Sequence, residues 1–72
     1  MMVFYSTQRI EISHRGPEQV LYVGNRLMGS VLNAPKPEVG KSLEIDYQFQ
    51  GKDGKWERGK LLTGMIQEVE EC

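Results

Sequence analysis

The chain holds one tryptophan, and four cations crowd round it: Lys52, Lys55, Arg58 and Lys60 flank Trp56 within a Gly-rich stretch, residues 51–60. Basic side chains neutralise phosphates and an indole ring stacks on a base, so this cluster has the chemistry to hold single-stranded nucleic acid or a nucleotide. Asp53 and Glu57 dilute that charge. The competing structural reading is a solvated hairpin tip whose tryptophan packs into the core. Tyr5, Tyr22, Tyr47 and Met28 join Trp56 as material for a contact surface, because aromatic residues and Met are enriched where proteins meet.

Other constellations are weaker. Gly40-Lys41-Ser42 has the end of a phosphate loop, but that motif needs an upstream glycine where this chain has Pro35, and no long helix follows. Ser13-His14-Arg15-Gly16 offers two donors for a small anion, although a lone His in a polar loop is ordinarily just hydrated. Nucleophilic catalysis needs a hydroxyl or thiol beside a base and an orienting acid. His14 is the only histidine, and no spacing ties it to a nucleophile. Glu44 and Asp46 fall on the wet side of a regular strand with no sign of a cleft. One His and one Cys do not make a four-ligand zinc site. These residues point to a protein that is not an enzyme, with no cofactor and no metal.

The element that must position Trp56 is a hairpin running from Leu43 to about Val69. Leu43, Ile45, Tyr47 and Phe49 alternate with Glu44, Asp46, Gln48 and Gln50, the pattern of a strand with one dry and one wet face. Gly51 to Lys55 supplies the turn. The arm from Trp56 to Val69 breaks its alternation, and Gly59 and Gly64 are natural places for a bulge. Glu68, Glu70 and Glu71 then read as a solvated acidic tail.

Upstream, Val3 to Ser13 reads as one strand, with Phe4, Ile10 and Ile12 on a shared face. Ser13 to Glu18 reads as a break, with one short helical turn from Pro17 to Gln19. Val20-Leu21-Tyr22-Val23 is apolar on both faces, as a central strand covered on two sides would be. Gly24-Asn25 follows, and a hairpin is favoured there over a bulged continuous strand, because Gly suits the first central position of a type II′ turn. Gly29 suggests a bend or a close backbone approach. Asn33 to Ser42, with Pro35 and Pro37, is a stiffened connecting loop. The expected fold is therefore all-β: a small antiparallel meander of about five strands, forming a curled sheet or an SH3-like barrel.

Size bounds what this fold can do alone. A chain of 72 residues forms one domain over residues 1–72. Such a chain buries about 60% of the surface its unfolded form exposes, so its stability is marginal unless something supplements it. The single cysteine, Cys72, allows no intrachain disulfide. A partner subunit is the remaining supplement, and a homo-oligomer is expected. Ten acidic and nine basic residues give a net charge of −1, which argues against a general nucleic-acid binder. No apolar run reaches the roughly 20 residues of a membrane span. The first residues lack the charged region and cleavage site of a signal peptide, so a cytoplasmic setting is expected.

Gly40-Lys41-Ser42-Leu43-Glu44-Ile45-Asp46-Tyr47, then Gly54-Lys55-Trp56, then Leu61 to Glu70, resembles the ending of many short bacteriophage and prophage proteins, which often finish in a β-hairpin of this cadence. The resemblance covers about 30 residues and holds no catalytic motif. It implies a small accessory protein that binds and blocks a host factor or sequesters a small molecule. No site residue carries over from it.

The expected function is that of a small non-enzymatic binding module, a homo-oligomer whose partner is a protein or a small anionic ligand. Trp56 is its stacking surface, and Arg58, Lys60 and Arg26 are its anion donors. The rival expectation is a single-stranded nucleic-acid binder of SH3-like shape.

Overall fold

The computed structural model describes residues 1–33, 36, 38–59 and 62–71, with the backbone alone for 62 and 71. Among them lie eight strands and no helix: β1 (Met2–Tyr5), β2 (Arg9–Arg15), β3 (Glu18–Val23), β4 (Arg26–Asn33), β5 (Ser42–Gln50), β6 (Trp56–Arg58), β7 (Leu62–Met65) and β8 (Glu68–Glu71). Every ladder is antiparallel. The order across the sheet is β6-β5-β4-β3-β2-β1-β8, with β7 also paired to β5. The all-β meander is therefore the fold. The sheet does not close into a barrel, and its strands number eight rather than five.

The extra strands arise where an unbroken alternation hides a reversal. Residues 3–13 are not one strand. Tyr5 pairs with Arg9, and the chain doubles back at Ser6-Thr7-Gln8, where the Ser6 amide donates to the Gln8 carbonyl at 3.2 Å. Because Phe4, Ile10 and Ile12 all face the core, the apolar period passes straight through this turn.

The break expected at residues 13–18 is instead a tight hairpin. Arg15 pairs with Glu18 across Gly16-Pro17, Gly16 has φ 62°, and Glu18 opens β3 rather than a helical turn. A positive φ at the first central position followed by the fixed negative φ of proline is the signature of a type II′ turn, whose twist matches that of the flanking strands. Gly24-Asn25 repeats the device, with Gly24 at φ 64° between paired Val23 and Arg26. The hairpin reading is thus the right one there.

β5 occupies the alternating run, with Leu43, Ile45 and Tyr47 buried and Glu44 exposed. Both β6 and β7 pair with it. Arg58 stands opposite Gln48 and Leu62 opposite Ile45, so the returning arm holds one residue more than β5 between the two ladders, beside Gly59. At its far end this arm crosses from β5 to β1. The Gly40 amide donates to the Ile66 carbonyl at 2.8 Å, the Ile66 amide to the Lys41 carbonyl at 2.9 Å, and the Gln67 amide to the Tyr5 carbonyl at 2.8 Å. Ile66, pinned on both sides, is wholly buried in the cluster of Phe4, Ile10, Ile12, Leu21, Leu43, Ile45 and Tyr47.

The acidic stretch at the end is correspondingly a strand and not a tail. Tyr5 pairs with Glu68 and Phe4 with Val69, and the Tyr5 hydroxyl donates to Glu70 at 3.4 Å. Pro35, Pro37, Lys60, Leu61 and Cys72, each given a role above, lie outside the described residues.

Candidate binding groove

Two local irregularities shape one surface groove. In the ladder between β3 and β4, Leu21 faces Gly29 and Tyr22 faces Leu27, which leaves Met28 as a bulge. A bulge bends its strand and re-aims side chains. Gly29 follows at φ 154°, and a Cβ built on it would sit 2.2 Å from the Gln48 carbonyl oxygen on β5. β4 can lie this close to β5 only because Gly29 has no side chain.

The resulting groove has a volume of about 370 Å³. Leu27, Met28, Gly29 and Ser30 of β4 line it, together with Phe49 and Gln50 of β5, Trp56 of β6, and Val20, Glu18 and Arg15 from the β2–β3 hairpin. Leu27 and Trp56 are each 53% exposed. Gln50 pairs with Trp56, so the indole stands on the wet face of β5, opposite Ile45 and Tyr47. The expectation that a tryptophan at this hairpin tip sinks into the core is therefore corrected. Two hydrogen bonds tie its turn: the Gly51 amide donates to the Lys55 carbonyl at 2.9 Å, and the Lys55 amide donates to the Asp53 carboxylate at 3.1 Å.

Of the three described residues among the four expected to make contacts, Trp56 alone lines the groove. Arg58 does not line it; its guanidinium is paired with the Asp46 carboxylate at 3.1 Å across the outer face of β5. Arg26 is exposed beside the Gly24-Asn25 turn and also stays outside the lining. Lys60 lies outside the described residues. The cation the groove does hold is Arg15, weighed above only with His14 as an anion site. His14 is exposed opposite Gln19 and does not face the groove. The signal that would have found Arg15 was the Arg-Gly-Pro-Glu turn, since a two-residue hairpin sets its first and fourth residues side by side.

Among the described residues that line the groove, charge is balanced, one Arg against one Glu. Among the described residues, neither Arg15 nor Glu18 makes an ion pair or a side-chain hydrogen bond. Elsewhere the ionic contacts are structural. The Glu11 carboxylate takes hydrogen bonds from the Ser13 hydroxyl at 2.5 Å and from Arg9 at 2.9 Å, which together hold it below the usual carboxylate range. A smaller cavity of about 140 Å³ has Ser6, Thr7, Gln8, Ile10, Val23 and Thr63 in its lining, with no ionisable group among its described residues. Among the described residues no three His, Cys, Asp or Glu side chains gather as metal ligands.

No family model, curated protein or solved structure matches this chain.

Proposed function

We propose that this protein is a non-enzymatic binding module whose groove beside Trp56 takes a protein partner. The observation that carries the reading is the pair of half-exposed apolar side chains, Leu27 and Trp56, in one concave surface, with Met28 and Phe49 behind them packed against the core. Tryptophan is enriched among the few residues that carry most of the contact energy of an interface, because it buries a large area with only two side-chain torsions to fix. A phosphate-bearing ligand fits less well. Arg58 is engaged by Asp46 and Arg15 is offset by Glu18, so among the described residues the groove shows no cationic excess of the kind a nucleic-acid backbone requires. The accessory role implied by the phage resemblance is compatible with this reading.

Site-specific photo-crosslinking tests it. A photoreactive amino acid placed at Leu27 should capture protein in cells, while the same group at the exposed strand position Glu44 should not. Capture of nucleic acid at position 27, weakening steeply with salt, would favour the single-stranded nucleic-acid alternative. No capture at position 27 would contradict the proposal.

A further inference from the structure

We infer that the partner in this groove is a second copy of the chain, docked about a twofold axis that sets Arg15 of each copy against Glu18 of the other. This inference rests on the reading of the groove as a protein-binding surface. In a twofold interface, if residue i of one subunit meets residue j of the other, then j also meets i. A patch that dimerises this way must therefore complement itself. The groove does: its described lining carries one cation and one anion, adjacent in the β2–β3 register, and neither has a partner among the described residues. Between them and Trp56 the lining mixes apolar Val20 and Leu27 with polar Ser30 and Gln50, and about the twofold axis Leu27 and Trp56 of each copy would cover those of the other.

The area of the molecule points the same way. Its accessible surface is 5118 Å². A folded monomer of 8.2 kDa is expected to expose about 4,500 Å². The excess of roughly 600 Å² belongs to the whole molecule, whose outline is elongated, 38 × 24 × 20 Å, and the half-exposed Leu27 and Trp56 are part of it.

Charge reversal tests the pairing. Sedimentation velocity on the full chain from micromolar to about millimolar concentration should show a reversible dimer. Arg15→Glu alone places two acidic residues against two acidic residues, and Glu18→Arg alone sets four cations together. Each should raise the dissociation constant at least ~tenfold, since like charges facing across an interface oppose it. An equimolar mixture of the two variants should recover the dimer as a heterodimer, because every contact is then again between opposite charges. The chain carrying both substitutions should also dimerise like the original. An effect confined to the hairpin within one chain cannot produce recovery on mixing. Circular dichroism would establish that both single variants are folded.

A mixture no tighter than its components would overturn the inference, as would a wild-type chain that stays monomeric throughout. In the monomeric case, a foreign protein captured at position 27 would leave the groove as a protein-binding surface with a different occupant. Capture of nothing at that position would remove both readings.

Discussion

Gly59 lies directly against the ring of Tyr47. Its amide donates to the Tyr47 carbonyl at 2.8 Å, and a Cβ built on it would come within 2.3 Å of two ring carbons. Tyr47 is a buried member of the core and stands 6.4 Å, centroid to centroid, from the ring of Phe49, which lines the groove. The glycine is thus where the core aromatic and the arm carrying Trp56 are pressed together. Gly59→Ala should cost about 1–3 kcal/mol, the usual range for forcing extra volume into a packed site. Urea denaturation monitored by circular dichroism would measure it, and unchanged stability would contradict this packing.

Gly29 is constrained differently, by backbone rather than by a ring. A methyl group there meets the Gln48 carbonyl at 2.2 Å, and the β5 ladder fixes that oxygen in place. Gly29→Ala should therefore destabilise the fold more than Gly24→Ala, whose added Cβ has nothing within 4 Å and meets only the backbone cost of a positive φ, about 1–2 kcal/mol. Midpoints of denaturation for the two variants, measured side by side, decide the order.

Burial separates two residues that each bridge distant parts of the chain. Ile66 is wholly enclosed at the point where the returning arm crosses from β5 to β1. Ile66→Ala should cost about 2–5 kcal/mol. Arg58, whose side chain is 71% exposed in its pair with Asp46, should cost no more than about 1 kcal/mol when replaced by Ala, and less at high salt. Both figures come from the same denaturation experiment.

Acid sensitivity follows from Glu11. Hydrogen bonds from Ser13 and then Arg9 lower its folded-state pKa beneath the ordinary value of 4.5. A depressed carboxyl contributes stability that is fully present above the unfolded-state value and is lost as pH falls through the folded-state value. Stability should accordingly decline on acidification below about pH 5, and Glu11→Gln should flatten part of that decline while lowering stability at neutral pH. Thermal midpoints measured from pH 7 down to pH 3 for both proteins would show it.

Strand content was legible wherever one face is dry. The alternation Leu43–Ile45–Tyr47 marks β5 almost to the residue, because burial of one face imposes a period of two on the sequence. Gly24-Asn25 announces its turn through the φ that glycine permits. The reversal at Ser6-Thr7-Gln8 was hidden because Phe4 and Ile10, opposite each other in the ladder, keep the same apolar phase on both sides of the turn. The strand character of Glu68–Glu71 was masked by its charge: an edge strand with exposed acidic residues reads as a tail. Trp56 stood out in the sequence through its chemistry. Its neighbours in space did not, since Arg15 and Leu27 reach it through a hairpin turn and a bulge that composition does not encode.

Trp56 is the only tryptophan and lies in the groove, so its own emission reports whether the groove is covered. The most direct measurement is its fluorescence spectrum and acrylamide quenching as the wild-type protein is diluted from about millimolar to sub-micromolar concentration. The indole should be blue-shifted and poorly quenched at high concentration and become red-shifted and accessible on dilution, with a midpoint matching the dimer dissociation seen by sedimentation. An indole equally exposed to quencher at every concentration would contradict it.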